Sequence, residues 1–443
     1  MMTRSNLTIF ENQATPEGYK KTEVGVIPSS WKYTAIRSVT LNHKQGYYST
    51  ESYSNSGIKL ARITDLKNPE IDFESMPLLQ VSEKDYNFYK IKVGDILLAR
   101  SGAIGRYGIV RKAEIAVFAS YIIRFSLDNS QIDNDYFGYV YQSENVQKQL
   151  LTITQGSSNI NINAGNIKSL EVLLPDLNEQ KKIATALSDT DALISEFEKL
   201  IEKKQAIKTA TMQQLLTGKT RLPEFALRDD GTPKTYKDSE LGQIPEDWEV
   251  YSLKSLLKSQ PKYGINAAAT QLSGDLPTYI RITDIDENGK FNPSEKVGVD
   301  SPLSGNYILD QGDIVLARTG ASVGKSYLYD KDDGELVYAG FLIKISPAPN
   351  LLCSKYLSIY LQTKEYWDWI ATNSMRSGQP GINGNQYASL KIVLPSFNEQ
   401  LKISRIFKDI DRDLEQLKIN LDKVTLLKQG MMQELLTGKT RLV

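Results

Sequence analysis

Two segments of the sequence have residue types and spacings close to those of catalytic motifs. The first is Gly320–Ser326 (Gly-Ala-Ser-Val-Gly-Lys-Ser), which imitates a phosphate-binding P-loop. A P-loop has four residues between its glycines, so that backbone N–H groups surround a phosphate and the lysine reaches it. Here three residues separate Gly320 from Gly324, and the corresponding Gly102–Tyr107 lacks the lysine and the serine. We therefore predict a glycine-rich hairpin turn at both places.

The second segment is Pro175–Lys181 (Pro-Asp-Leu-Asn-Glu-Gln-Lys), which imitates the acidic signature of metal-dependent nucleases. In such an enzyme the carboxylates and the lysine converge on one cation. This segment lies in a predicted strand-to-helix turn, and the corresponding later segment has Ser396 and Leu401 in place of the aspartate and the lysine. The sequence does not predict a nuclease site here.

The inventory of other reactive side chains is small. A single cysteine, Cys353, excludes an intrachain disulfide and a thiolate metal cluster, and a single histidine, His43, makes a zinc site improbable. His43 lies in a polar stretch that predicts a solvated loop. A serine–histidine–aspartate site would have to use it, but no nucleophile-elbow motif is present. We predict a binding protein without a metal or another cofactor.

Composition agrees with a globular protein of two or three domains. The chain has 443 residues, and its 53 lysines and arginines balance 53 acidic residues, so any basic surface must be local. The apolar runs fall short of the ~18 residues that a membrane helix needs, and the N-terminal residues lack the apolar core of a signal peptide. We expect a cytoplasmic location and no membrane contact.

A repeated series of motifs organises the chain. Five blocks recur in the same order at an offset of 217 to 220 residues, which indicates a duplicated unit of about half the chain. The pairs are Ile27–Trp31 with Ile244–Trp248, Arg62–Asp65 with Arg281–Asp284, Gly94–Ala103 with Gly312–Ala321, Leu174–Gln180 with Leu394–Gln400, and Leu215–Leu222 with Leu435–Leu442.

Each unit changes its hydrophobic period from strand-like to helical. In the first copy, strands are predicted at Ile58–Ile63, Asp95–Ala99, Tyr121–Phe125 and Val172–Leu174, with short helices between them, as at Asp135–Leu151. A long helix follows, with Asn178 as the candidate N-cap and Thr217-Gly218 as its end.

Apolar residues in both long helices alternate at spacings of three and four, which is typical of a coiled-coil seam. The second seam includes Ile403, Phe407, Leu414 and Leu421 and is interrupted by Lys428; the first is weakened by Thr190, Lys204, Lys208 and Thr211. Packing of each helix on its own domain is the alternative, but two matched seams favour pairing with one another.

These elements predict an α+β fold with an internal pseudo-twofold repeat: two similar strand-rich domains separated by two long helices that pair as an antiparallel coiled coil. The predicted segments are a first domain at 18–176, a first helical region at 177–222, a polar linker at 223–238, a second domain at 239–396 and a second helical region at 397–443.

In this order the motifs resemble the specificity subunits of type I restriction-modification systems, over nearly the whole chain. The resemblance rests on Trp31 and Trp248 in the Ile-Pro-x-x-Trp blocks, on the Gly-Asp-Ile blocks, and on the Leu-Pro to Asn-Glu-Gln blocks. It implies a non-catalytic protein whose two target recognition domains each read one half of a split site in double-stranded DNA. The implied partners are two modification (adenine methyltransferase) subunits and, through them, ATP-dependent restriction subunits.

Duplication also separates two classes of residue. Residues shared by both copies cannot distinguish two different half-sites, whereas residues that differ at matched places can contact base edges. We predict DNA contacts in two divergent loops of each copy and at the hairpin turn. The candidates are Lys44, Gln45, Tyr47, Tyr48, Arg106, Ser158 and Asn159 in the first copy, and Lys262, Tyr263, Asn266, Lys325, Arg376 and Gln379 in the second. For the shared arginines Arg62, Arg100, Arg281 and Arg318, phosphate contact and internal pairing remain equally open.

A different class of function remains open beside this one. A regulatory DNA-binding protein or scaffold could have the same architecture without a restriction partner.

Overall fold

The computed structural model describes residues 15–49, 52–154, 161–375 and 379–443. These form two compact units, which are described separately. The first unit contains the described residues up to Glu198 together with Ile419–Val443, and the second contains Lys199–Lys418. No helix in the described part of the chain is long and apolar enough to cross a bilayer.

The first unit starts with a strand-rich domain and continues into a long helix. Its strands are β1 (Tyr19–Thr22), β2 (Gly25–Pro28), β3 (Lys32–Ala35), β4 (Thr40–Gln45), β5 (Ile58–Ala61), β6 (Leu78–Leu79), β7 (Ile96–Ala99), β8 (Tyr107–Ile109), β9 (Ala116–Phe118), β10 (Ile122–Leu127) and β11 (Glu171–Leu174). Its helices are α1 (Glu83–Tyr89), α2 (Asn134–Gln142), α3 (Glu144–Thr154), α4 (Ala164–Ser169) and the start of α5 (Leu177–Leu215).

A four-stranded antiparallel sheet in the order β4-β10-β7-β8 forms the centre of this domain. All four side chains of β7 are buried, and successive side chains point to opposite faces. Ile96 and Leu98 pack with α2 and the start of α5. Leu97 and Ala99 pack with β5 and β9 of the three-stranded sheet β6-β5-β9. Burial on both faces explains why this strand is an unbroken apolar run.

The second unit repeats this plan. Its strands are β12 (Tyr236–Ser239), β13 (Gly242–Pro245), β14 (Glu249–Ser252), β15 (Lys262–Tyr263), β16 (Thr270–Gln271), β17 (Thr278–Ile280), β18 (Val297–Gly298), β19 (Ile314–Ala317), β20 (Ser326–Leu328), β21 (Leu336–Tyr338), β22 (Leu342–Ile345) and β23 (Lys391–Leu394). Its helices are α6 (Pro223–Ala226), α7 (Ser354–Tyr360), α8 (Lys364–Ser374), α9 (Gly384–Ser389) and the start of α10 (Phe397–Leu435). The sheet β15-β22-β19-β20 corresponds to β4-β10-β7-β8.

In each unit, a strand near the beginning of the domain pairs with its last strand. β3 pairs with β11, and β14 pairs with β23, both antiparallel. The two ends of each recognition domain therefore lie side by side where the long helix begins.

Within each unit the two long helices run antiparallel. In the first unit Asp191 pairs with Lys428 at 2.6 Å, and in the second Asp411 pairs with Lys208 at 2.7 Å. Lys204 adds a contact of 2.6 Å to Asp413. The three lysines that interrupt the apolar seams thus have acidic partners on the facing helix. The predicted fold class, with two similar domains and two paired long helices, is confirmed.

Three of the repeated motifs meet in a buried cluster that we call the clasp. In the first unit the clasp consists of Trp31, Glu179 and Arg441: the indole donates to the carboxylate at 2.9 Å, and the guanidinium donates at 2.6 and 2.7 Å. Burial alone would raise the pKa of Glu179, but hydrogen bonds from Arg441 and Trp31 lower it.

The second unit has the same clasp, made of Trp248, Glu399 and Arg221. The indole donates at 3.1 Å and the guanidinium at 2.9 and 2.8 Å. Each clasp therefore joins the start of a domain, the start of the helix that follows it, and the segment that ends the other long helix.

The short helices expected at Asp135–Leu151 are α2 and α3, which are separate because Ser143 has extended backbone angles and its hydroxyl accepts from the N–H of Val146 at 3.4 Å. One local prediction was wrong. The N-cap of α5 is Asp176 and not Asn178, since one Asp176 carboxylate oxygen accepts from the N–H groups of Asn178 and Glu179 at 3.0 Å.

Candidate nucleic-acid interface

One end of the four-stranded sheet in the first unit collects several of the predicted contact residues. β4 and β7 end there, whereas β8 and β10 begin there. The Gly46 N–H donates to the carbonyl oxygen of Ile122 at 3.0 Å, and the Arg100 N–H donates to the carbonyl oxygen of Tyr121 at 3.0 Å. The ends of these four neighbouring strands therefore bring together Gln45, Arg100, Arg106 and Tyr121. We call this group of residues the sheet end.

The register brings three of these residues close together. Gln45 is paired with Ile123, and Ile122 is paired with Ala99. Tyr121 and Arg100 come directly next to the second pair, and the Arg100 N–H donates to the Tyr121 carbonyl oxygen. Arg100 Nε also donates to Asn161 Oδ1 at 3.1 Å.

The second unit has a sheet end of the same construction. Its matched residues are Tyr263, Arg318, Lys325 and Phe341, and Arg318 N–H donates to Phe341 at 3.0 Å. The Arg318 guanidinium lies 4.8 Å from the centre of the Tyr263 ring. The Tyr263 hydroxyl accepts from the N–H of Gly384 at 3.0 Å, which fixes the ring under the guanidinium.

Electrostatic partners divide the shared arginines into two groups. Arg62 and Arg281 pair with Asp65 and Asp284, each at 2.8 Å, so internal pairing accounts for them. In contrast, no carboxylate of the described residues lies within ion-pairing distance of Arg100 or Arg318. These two guanidinium groups are the ones with charge available for a ligand.

The two basic residues at the hairpin turn, Arg106 and Lys325, already have partners within the protein. Lys325 pairs with Glu287 at 2.7 Å and has a side chain that is 18 % exposed. Arg106 donates to the carbonyl of Ile63 at 3.4 Å. A phosphate contact by either residue remains a prediction, and for Lys325 it would have to compete with Glu287.

The first predicted loop of each copy is partly strand, which corrects that prediction. His43, Lys44 and Gln45 belong to β4, and Lys262 and Tyr263 form β15. Both are edge strands whose polar side chains hide the apolar alternation that identifies a strand.

His43 is not a solvated loop residue, because it is half-buried and its ring stacks on Phe125 at 5.8 Å. Burial and then the charge of Lys168 lower the pKa of His43, which favours the neutral ring.

Lys44 points away from the sheet end. Its ammonium lies 3.2 Å from the centre of the Phe88 ring and donates to the Phe88 carbonyl at 3.0 Å. Burial and the charge of Arg124 lower its pKa. Lys262, at the matched place, is exposed.

The residues that follow the edge strands differ in exposure. Tyr47 packs on Tyr89 with ring centres 5.3 Å apart, whereas Tyr48 is 73 % exposed. Asn266, at the place of Tyr48, is also exposed. Tyr48 and Asn266 are therefore accessible side chains with different hydrogen-bonding groups.

The second predicted stretch of each copy is partly outside the described residues. Ser158, Asn159 and Arg376 lie there, and Gln379 is described and exposed. Directly after each stretch the chain joins the sheet end, since Ile162 N–H donates to Arg100 at 2.8 Å and Ile382 N–H donates to Arg318 at 2.9 Å.

Sequence reasoning missed two aromatic residues of the sheet ends, Tyr121 and Phe341. Each is 58 % exposed and stands directly before a buried strand. The sequence pattern identified Tyr121 only as the first residue of a predicted strand, and it did not single out Phe341. The available signal was that an aromatic residue recurs at this place in both copies.

The motifs that imitate catalytic sites have structural roles. Gly102 and Gly320 both have φ of +73°, and the turns lead into β8 and β20, not into the helix that follows a P-loop. Glu179 belongs to the clasp. Among the described residues no group of three His, Cys, Asp or Glu side chains is placed to hold a metal ion.

A family model described as the type I restriction modification DNA specificity domain matches this sequence twice, at residues 28–209 and 245–422. The chain belongs to this family. Each match covers one strand-rich domain and most of the helix that follows it, so the family's repeating element coincides with the duplication seen in the sequence.

Two curated relatives in the specificity-subunit family come from Methanocaldococcus jannaschii. The putative type I restriction enzyme MjaX specificity subunit is 26 % identical over 435 residues, covering 96 % of this chain and 97 % of the relative. The type I restriction enzyme MjaVIII specificity subunit is 27 % identical and covers 79 % and 80 %.

Solved structures support the fold of the specificity-subunit family. The S subunit of a type I restriction-modification system from M. genitalium matches with a TM-score of 0.55 at 16 % identity, covering 92 % of this chain and 96 % of that one. A structure concerned with complex assembly of the type I R-M system matches with a TM-score of 0.55 at 14 % identity, covering 94 % and 99 %.

Proposed function

We propose that the chain is the DNA-reading specificity subunit of a type I restriction-modification complex. In this proposal each unit reads one half of a bipartite site in double-stranded DNA. The chain holds two modification subunits and, through them, restriction subunits. Methyl transfer to adenine and ATP-dependent cleavage belong to those partners, and the chain itself is non-catalytic.

The observation that carries the proposal is the pair of matched sheet ends. Arg100 and Arg318 supply guanidinium groups suited to phosphates or guanine edges. Beside them, matched positions differ in chemistry: Gln45 corresponds to Tyr263, and Tyr48 corresponds to Asn266. Two surfaces that share a backbone arrangement but differ in their side chains are suited to a target whose two halves differ in sequence.

The composition of the long helices supports protein partners for them. Between Asn178 and Leu216 there are six lysines and six acidic residues. A helix that followed a DNA backbone would carry an excess of positive charge, whereas this mixture is typical of a solvated or protein-binding face. The names of the relatives as specificity subunits agree with this division of roles.

Single-molecule methylome sequencing of the source strain tests the proposal. We expect a bipartite motif methylated on adenine in both strands, which disappears when the gene for this chain is deleted and returns when it is restored. Purification of the tagged chain should recover an adenine methyltransferase. A chain that purifies alone and binds its DNA specifically without such a partner would instead indicate a regulatory DNA-binding protein.

A further inference from the structure

Tyr121 and Phe341 occupy the same place in the two units and are exposed to the same extent. Each is 58 % exposed, while the residues that follow them, Ile122 and Leu342, are fully buried. Isolated exposed apolar side chains are ordinary on protein surfaces. The recurrence of an exposed aromatic ring at matched positions is the unusual feature.

The exposed Tyr236 recurs as Tyr19, but both hydroxyls donate to a glycine carbonyl, which gives that pair a structural role. Two further exposed aromatic residues do not recur. Tyr48 is 73 % exposed and corresponds to Asn266, and Phe88 is 55 % exposed and corresponds to Asn306. Duplicated copies that diverged elsewhere have therefore both kept a ring at the sheet end. The core does not require that ring, because the strand behind it is already buried on both faces.

The neighbours of the two rings indicate the chemistry of a ligand. The Tyr121 carbonyl oxygen accepts from the N–H of Arg100, and the Phe341 carbonyl oxygen accepts from the N–H of Arg318, both at 3.0 Å. Each exposed ring therefore belongs to the residue bonded to an arginine that has no carboxylate partner among the described residues. An apolar ring beside an uncompensated positive charge is complementary to a polyanion with aromatic or methyl-bearing groups. DNA bases and phosphates provide that combination.

We propose that Tyr121 and Phe341 each make an apolar contact with a base in the half-site that their own unit binds. This inference rests on the proposed function. Phenylalanine has no polar side-chain atom, so the contact in the second unit is with a thymine methyl group or the face of a base. The matched arginine binds the adjacent phosphate or base edge.

The test measures binding of the full chain, purified with its methyltransferase partner, to duplexes that carry the methylated motif or a scrambled sequence. Phe341→Ala should weaken binding to the motif by about tenfold and change binding to scrambled DNA by less than about twofold, because a base contact contributes to the specific complex. Tyr121→Ala should behave alike, and Tyr121→Phe should keep most of the affinity.

Val93→Ala and Leu303→Ala are matched controls, since these apolar side chains are 60 % and 57 % exposed but lie outside the sheet ends. Both should bind like the unaltered chain. Equal weakening on motif and scrambled DNA, or no weakening in either ring variant, would overturn the inference while leaving the proposed function intact. An unaltered complex that does not prefer the motif would instead reject the proposed function.

Replacing single thymines of each half-site by uracil distinguishes the two sources of the apolar contact. If one replacement weakens the unaltered complex but not Phe341→Ala, the ring contacts that methyl group. The other outcome is that every uracil replacement weakens the unaltered complex and the Phe341→Ala complex equally. If Phe341→Ala still has a smaller preference for the motif over scrambled DNA, the ring contacts the face of a base.

Discussion

The Trp–Glu–Arg clasps explain why short motifs far apart in the sequence recur together. Glu179 is 1 % exposed and accepts hydrogen bonds from the indole of Trp31 and from two nitrogens of the Arg441 guanidinium. A buried carboxylate that loses its cation keeps its desolvation cost without compensation. Conservation of the motif between the copies is thus a requirement of folding and not of DNA reading.

Removing the arginine of one clasp should destabilise one unit. Arg441→Ala should lower the free energy of unfolding of the first unit by about 3 kcal/mol, because it leaves Glu179 buried and unpaired. Urea denaturation followed by tryptophan fluorescence measures the loss. Lys439→Ala, an exposed change in the same segment, is the control and should have no measurable effect. Equal stability of the two variants would contradict the role of the clasp.

Gly46 and Gly264 have no side chain for a steric reason. A Cβ at Gly46 would lie 2.0 Å from the carbonyl oxygen of Ala119, and one at Gly264 would lie 2.2 Å from that of Ala339. Gly46→Ala should therefore displace the edge strand and destabilise the domain by about 1–3 kcal/mol. Thermal unfolding measures this, and Gly305→Ala, whose Cβ would meet nothing within 4 Å, is the control.

At the scale of elements, α10 contains a glycine that its packing does not explain. Gly430 is exposed in the helix interior, and a Cβ there would meet nothing within 4 Å. Gly430→Ala should stabilise the chain by up to about 1 kcal/mol, because alanine restricts the unfolded backbone more. A decrease in the urea midpoint would show that this position needs glycine for another reason.

The paired long helices lead to a prediction about the unspecified gap between half-sites. Inserting seven residues after Glu198 and seven after Lys418 keeps both seams in register and adds about 10 Å, the rise of about three base pairs. The methylated motif should keep both halves and gain a longer gap. The same insertion in α5 alone should separate pairs such as Lys208–Asp411 and abolish modification. Altered half-sites in the double insertion would refute the spacer role.

Sequence periodicity identified the elements whose side chains are buried and regular. The ends of β7, β10, β11 and the first long helix were predicted to within three residues. The edge strands β4 and β15 were not, because their outward side chains are polar, and β16 and β18 are too short to show a period. Exposure of Tyr121 depends on which strands end together, and that information is absent from a linear pattern.

At the scale of the molecule, modular construction allows one recognition domain to replace the other. Residues 18–176 can be exchanged for a second copy of 235–396, because Trp248 would then occupy the place of Trp31 beside Glu179. We expect methylation of a motif with two identical halves, both of the type read by the second unit. The reciprocal exchange should give the other half twice. Retention of the original motif by either protein would contradict the assignment of one half-site to each unit.

The discontinuity of the first unit has a consequence for synthesis on the ribosome. Domains usually fold in the order in which they emerge, beginning at the N-terminus. The second unit is one continuous segment, Lys199–Lys418, whereas the core of the first includes Leu435 and Leu436. The domain that is translated first therefore cannot complete its core until almost the whole chain has been synthesised, and part of its apolar surface stays exposed until then. The second unit can complete its core earlier. Chaperones that bind nascent chains of this protein should therefore bind mainly to the first unit.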